Sequence, residues 1–268
     1  MKNMKIREII KEIELYAPLF LQESYDNAGV QIGNIDQPAT GVLLCVDITE
    51  DIIEEAFRKD CNLIIAHHPL IFKSLNSITG KNYIERCVIA AIRKGIVIYA
   101  AHTNLDNAEN GVNHKIAQKI GLNNIEILKP LNLEQIDMNA QFGAGVIGTL
   151  PVPENAADFL CRLKEIFRLN GLTHSPLTGK MIEKVAVCGG SGAFLIPDAI
   201  ASNADVFITG EAKYNDYYNV EKDILLAVIG HYESEECTKE IFFEVITKKF
   251  PNFAVHFSSI NTNPVNYI

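Results

Sequence analysis

Short, unbroken apolar runs recur along this chain, separated by segments of helical periodicity. Residues 42–46, 63–66, 96–101 and 225–229 are the clearest runs, and 184–188 and 206–209, each with one polar residue at an end, read the same way; all are four to six residues long. A run that short, without alternation, fits a strand buried on both faces. Residues 6–16 carry Ile6, Ile9, Ile10, Ile13 and Leu15, a helical spacing. Thr49 is placed to cap the next helix, with Glu50 and Asp51 at its positive end. Helices are expected over 84–94 and 111–120, stopped by Gly95 and Gly121, and over 156–167, 194–202, 213–218 and 236–248. A last strand is expected over 253–257. Strands alternating with helices imply parallel sheets joined by right-handed crossovers.

At roughly 150 residues per domain, the 268 residues suggest about two lobes. We expect an α/β protein of two similar lobes with largely parallel central sheets. The first covers 1–125, a connecting segment with a strand and a helix covers 126–180, and the second covers 181–268. A weak repeat supports two lobes. Strand, helix and strand end in His67-His68 in one half and in Gly210-Glu211 in the other, and the next strands end at His102 and His231. Sequence identity between the halves is negligible, and any α/β chain repeats strand and helix.

Composition narrows the function classes. The net charge is −9 and no basic cluster stands out, which disfavours a duplex nucleic-acid binder. The apolar run 224–229 is far short of the ~18–20 residues of a membrane span. The basic start, Met1 to Lys5, is followed by charged residues and not by an apolar segment, so no signal peptide is read. The six cysteines form no Cys-x-x-Cys pair. They fit buried, reduced thiols of a cytoplasmic protein.

Three groups of polar residues follow buried strands, where parallel α/β sheets bind ligands. His67 and His68 follow 63–66. Neighbours on an extended backbone point to opposite sides, so each suits a different ion of a pair, or one is a core histidine and the other exposed. His102 and Asp106 follow 96–101. Asp106 is an oxygen ligand or a helix cap, and His102 is a ligand, an acid–base group or an orienting partner. His231 and Glu235 follow 225–229, four apart and on one face of a helix start. Glu235 can bridge two ions, or with Glu233 and Glu236 it merely favours a helix N-terminus. Together the groups supply nitrogen and oxygen without thiolate, a set suited to Zn, Mn, Fe or Ni. Two divalent ions outweigh two carboxylates, so such a site attracts an anionic substrate.

Other features carry less. Gly189-Gly190-Ser191-Gly192 fails the full dinucleotide pattern because Leu195 takes the last glycine position. A tight turn with positive φ, or an anion cradle, remains. Tyr214, Tyr217 and Tyr218 suit a packed helix face or a base-stacking surface. His114 is expected to be exposed, and His174 and His256 have no assigned role.

Several segments resemble signature motifs of one family. They are residues 67–72 (HHPLIF), 102–106 (HTNLD), 209–211 (TGE), 230–235 (GHYESE) and, near the start, 24–33 (SYDNAGVQIG). In this order they are similar to the NIF-three-like family, whose members are often described as type 2 homologues of GTP cyclohydrolase I. The resemblance implies a two-lobed α/β fold with a dinuclear metal site in the cleft between the lobes, and a ring-shaped hexamer with sites facing its cavity. Matched residue by residue, it implies His67, His68, Asp106, His231 and Glu235 as ligands of two divalent transition-metal ions. The function then expected is a metal-dependent hydrolase, opening a purine ring or cleaving a phosphoester of a nucleotide or other anionic small molecule. His102 is its candidate acid–base residue. The alternative is a non-catalytic, metal-dependent binding or scaffold protein. The chain departs from the family in reading Ala212-Lys213-Tyr214-Asn215-Asp216 where a histidine often follows Thr-Gly-Glu. It also leaves no room for the domain that some members carry mid-chain.

Overall fold

A computed structural model describes residues 4–131, 142–220 and 223–268. Residues 1–3 of the basic start and 132–141 of the expected connecting segment lie outside the described residues. In chain order the first elements are α1 (Ile6–Tyr16), β1 (Gly29–Ile32), β2 (Val42–Cys45), α2 (Glu50–Arg58), β3 (Leu63–Ala66), α3 (Tyr83–Lys94), β4 (Val97–Ala100) and α4 (Thr103–Asp106). Next come α5 (Val112–Ile120), β5 (Asn123–Pro130), β6 (Gly143–Asn155), α6 (Ala156–Ile166), β7 (Thr173–His174) and β8 (Met181–Cys188). The remainder are α7 (Ile196–Ala201), β9 (Val206–Thr209), α8 (Asp216–Asn219), β10 (Leu225–Val228), α9 (His231–Glu235), α10 (Thr238–Lys249) and β11 (Val255–Phe257).

The fold is mixed α/β with two sheets, and the chain divides into two compact units. The first comprises Met1–Leu105 and Thr238–Pro264. Its sheet has the order β1-β4-β3-β2-β11, all pairs parallel except the edge pair β1–β4. β2, β3 and β4 are buried at every residue, as their unbroken apolar runs require. Helices α2 and α3 cover them with Ile52, Ile53, Ala56, Cys87, Val88 and Ala91, all in one core. Thr49 caps α2 by accepting from Ile52 N at 3.3 Å, and Gly95 ends α3 at φ 67°.

The second unit comprises Asp106–Cys237 and Val265–Ile268. Its sheet has the order β5-β6-β8-β9-β10-β7. β8, β9 and β10 are parallel, while β5–β6, β6–β8 and β10–β7 are antiparallel. The expectation of largely parallel sheets therefore suits the first sheet and not the second. The difference lies in β5 and the far end of β6, which are partly exposed, as an antiparallel margin with one wet side tolerates. Phe207, Leu226, Leu195, Ala199 and Val220 form the core beneath α7.

The units do not follow the boundaries 1–125, 126–180 and 181–268. Residues from Asp106 onward group with the second unit, and α10 and β11 return to the first. β11 pairs in parallel with β2, Val255 opposite Val42. Such a pairing of distant segments leaves no local trace in the sequence. The six cysteines are free, and Cys161 is exposed while the others are buried.

Candidate metal centre

In the first unit, the hydrogen-bond ladder runs on past the strand ends and sets the backbone of the histidines. His68 N donates to Val46 O at 3.0 Å and Ala101 N to Ala66 O at 3.0 Å. His67, His68 and His102 come together, with ring centroids 4.9 Å (67–68), 5.3 Å (67–102) and 5.4 Å (68–102) apart. Each offers a ligand atom within 4.8 Å of the others, a group able to hold a metal ion. Phe72 lies against His102 at 6.1 Å between centroids.

The second nitrogen of each ring is occupied. His67 Nδ1 lies 2.9 Å from Ala101 O, His68 Nδ1 2.7 Å from Asp47 Oδ1, and His102 Nδ1 2.8 Å from Asp26 Oδ1. A carbonyl or carboxylate there accepts a proton-bearing Nδ1, which leaves the Nε2 lone pair for a metal. The Asp26 side chain is fully buried. It also accepts from Thr103 N at 3.0 Å and Thr103 Oγ1 at 2.5 Å. Burial alone raises the Asp26 carboxyl, but the bonds from His102 and Thr103 outweigh it and hold the group at about 2. Asp26 therefore remains a carboxylate at neutral pH.

In the second unit, α9 presents His231 and Glu235. His231 Nε2 lies 3.1 Å from Glu235 Oε2, the contact expected of positions four apart on a helix. His231 Nδ1 lies 2.9 Å from Glu211 Oε1, and Glu211 Oε2 accepts from Ser191 Oγ at 2.7 Å. The Ser191 hydroxyl, and less strongly His231, lower the Glu211 carboxyl against partial burial. Sequence places Ser191 and Glu211 by the same logic as the histidines, since they follow β8 and β9.

The Gly-rich turn lies hard against α9. Gly190 has φ 58°, and a Cβ there would overlap Glu235 Oε1. Its backbone N donates to Ser234 Oγ at 2.9 Å, and Ser234 Oγ donates to His231 O at 2.8 Å. Asp106, the last residue of α4, belongs to this unit. It is not the cap of α5, which starts after Gly111. Asn113 ties its segment to the turn, donating to Asp106 O at 3.1 Å and accepting from Gly189 N at 2.9 Å. The Cys188 thiol is pushed up chiefly by burial and then by the charges of Asp106 and Glu235.

Of the expected residues, His67 and His68 come together with His102 in the first unit, and His231 stands against Glu235 in the second, the unit to which Asp106 also belongs. Missing from the sequence reading are the partners of the rings. Thr103–Asp26–His102, Thr262–Asp47–His68 and Ser191–Glu211–His231 are each a hydroxyl, a carboxylate and an imidazole in a row. Asp26 and Glu211 stand in the motif segments quoted above, and Glu211 also follows β9. Of the other candidates, His114 is half-buried and not exposed, and burial lowers its pKa from 6.5. Tyr217 packs on the second core, while Tyr214 and Tyr218 are exposed.

The donors are imidazoles with fixed tautomers and carboxylates. That set fits a divalent transition metal better than a thiolate zinc site or an all-oxygen calcium site. The class defined by this fold and these donors is a mixed α/β protein with a candidate metal centre at strand ends. The family model of Duf34/NIF3 (NGG1p interacting factor 3) matches residues 4–264, and the chain belongs to this family.

The chain is 32% identical to a GTP cyclohydrolase 1 type 2 homolog of Lactococcus lactis, over 97% of this chain and 98% of that one. It is 32% identical to a protein of the same name from Clostridium acetobutylicum, over 97% and 94%. Among solved structures it resembles a hypothetical protein of Staphylococcus aureus, with 29% identity, full coverage of both chains and a TM-score of 0.90. Among the described residues no helix is long and apolar enough to cross a membrane.

Proposed function

We propose that His67, His68, Asp106, His231 and Glu235 hold about two divalent transition-metal ions. The protein is then a metal-dependent hydrolase acting on a nucleotide or other anionic small molecule. The observation that carries this reading is the occupied Nδ1 of His67, His68 and His231, which suits each ring to coordinate a metal through Nε2, with Glu235 Oε2 beside that of His231. The names of its curated relatives point to the nucleotide class. Bound ions of this kind supply Lewis acidity and a water of lowered pKa.

The residues divide the remaining work. Glu235 is nearly buried and offers two carboxylate oxygens, which suits it to serve both ions. His102, held by the buried Asp26, moves a proton at Nε2 as general acid–base. Phe72 stands edge-on beside it. The reading includes a ring-shaped hexamer and a cytoplasmic setting.

Elemental analysis of protein purified without chelator and reconstituted with Zn or Mn tests the metal count. About two equivalents are expected, and less than half an equivalent sinks the reading. The loaded protein is then assayed for opening of a purine ring and for phosphoester cleavage. His102→Asn is expected to keep the metal and lose turnover. Loss of metal instead makes His102 a ligand. Two bound ions without turnover of either kind leave a metal-dependent scaffold. Gel filtration with light scattering checks the hexamer.

A further inference from the structure

The chain after β11 runs back along the first unit. Ser258 Oγ donates to Glu55 Oε2 at 2.5 Å, and Ser259 donates to Glu55 Oε1 from its N at 3.0 Å and its Oγ at 2.8 Å. Further on, Thr262 Oγ1 donates to Asp47 Oδ2 at 2.8 Å, across 215 positions of sequence. The other oxygen of that carboxylate, Oδ1, lies 2.7 Å from His68 Nδ1.

The three imidazoles of this unit differ in what fixes their partner. His67 faces the backbone carbonyl of Ala101, which cannot rotate. His102 faces Asp26, whose side chain is fully buried and held by Thr103. Asp47 is 33% exposed, and its Oδ2 accepts from the hydroxyl of Thr262. A hydroxyl on Oδ2 fixes the plane of the carboxylate and so aims Oδ1 at the ring.

We propose that Thr262 is a positioning residue for His68. By holding Asp47 it keeps the imidazole in the Nδ1–H tautomer with Nε2 directed to the ligand position, so residues 258–262 take part in building the site. The proposal rests on the reading of His68 as a ligand only for its effect on metal binding. The tautomer of His68 is independent of it.

The test uses full-length Thr262→Val, Thr262→Ser, Asp47→Asn and Ser259→Ala. Nitrogen-15 imidazole spectra of metal-free protein at pH 8 report the His68 tautomer. Titration with Zn against a competing chelator reports affinity. Thr262→Val is expected to mix the tautomers of His68 and to weaken one equivalent of metal roughly three- to tenfold, below the 10–100-fold typical of direct partners. Thr262→Ser restores both, Asp47→Asn exceeds Thr262→Val, and Ser259→Ala, which loosens the same segment at Glu55, leaves both unchanged. A wild-type tautomer in folded Thr262→Val overturns the proposal. So does a loss in Ser259→Ala equal to that in Thr262→Val, which makes general anchoring the cause. A wild-type protein that binds no metal overturns the ligand reading, while the tautomer result still decides the role of Thr262.

Discussion

Asp26 and His102 stand 76 residues apart in the chain and meet at 2.8 Å, with the Asp26 side chain wholly removed from solvent. A buried carboxylate is tolerable only because every approach to it is a donor: His102 Nδ1, Thr103 N, Thr103 Oγ1 and, from its own loop, Asn27 N at 2.7 Å. Asp26→Asn keeps the shape but turns one oxygen into a donor facing donors. We expect a loss of about 1–3 kcal/mol in urea unfolding. An unchanged midpoint means that the contacts around Asp26 contribute nothing net.

Glu235 and His67 should differ in how metal is lost. Neutralising a carboxylate shared by two ions weakens both, whereas one imidazole serves one. Metal titration of Glu235→Gln should show reduced occupancy of both equivalents, and His67→Ala or His68→Ala should mainly empty one. Identical stoichiometry in all three removes Glu235 from a shared role.

Gly190→Ala should be costly for two reasons. Its φ of 58° suits glycine, and the new methyl would overlap Glu235 Oε1. The backbone term for a left-handed alanine is about 1–2 kcal/mol, and displacement of Glu235 adds to it. Calorimetry should show a lower midpoint, and titration a weaker affinity for metal. Wild-type affinity in the folded variant means Glu235 is not held by this turn.

Removal of metal should itself destabilise the protein. A ligand that binds only the folded state adds about 2.7 kcal/mol at a hundredfold excess over its Kd. Thermal unfolding at pH 8 with and without chelator measures this. A midpoint unmoved by verified metal removal shows that the proposed ligands do not share a centre that the fold depends on.

Glu55 predicts an acid-sensitive contribution. Burial raises its carboxyl, but bonds from Ser258, Ser259 and Lys59 win and hold it at about 2 against an ordinary 4.5. The folded pKa is the lower one, so the stabilisation is complete above about pH 4.5 and fades as pH falls through 2. It is on the order of 3 kcal/mol. Urea unfolding of wild type and Glu55→Gln should differ by that order at pH 7 and converge in acid. A gap constant with pH shows that the charge of Glu55 is not what holds the segment.

How far these arrangements were legible depends on the range over which each is decided. β2, β3, β4, β9 and β10 declare themselves locally, because burial on both faces demands unbroken apolar runs. Thr49, Gly95 and Gly121 likewise end or start helices through their own backbones. The candidate ligands were legible because they follow those strands. The expected helix over 236–248 is α10, Thr238–Lys249, and the short α9 over His231–Glu235 precedes it. The edge strand β1 and the strand β5 lack a run of their own, whereas the strand-like stretch 143–150 is the first part of β6. Asp47 and Thr262 illustrate the rest: a single hydrogen bond between segments 215 residues apart imposes no periodicity on either.

The parallel pairing of β11 with β2 has a consequence for biosynthesis. At about 5–20 residues per second, a ribosome that has finished β2 needs roughly 10–40 s more to deliver β11. During that interval the side of β2 that β11 will cover presents unpaired backbone, the kind of edge that recruits foreign strands. Residues 106–237, by contrast, emerge as one continuous stretch able to build the second sheet first. The nascent chain thus carries an open edge until β11 has been made, and that edge is where a holdase chaperone would be expected to bind.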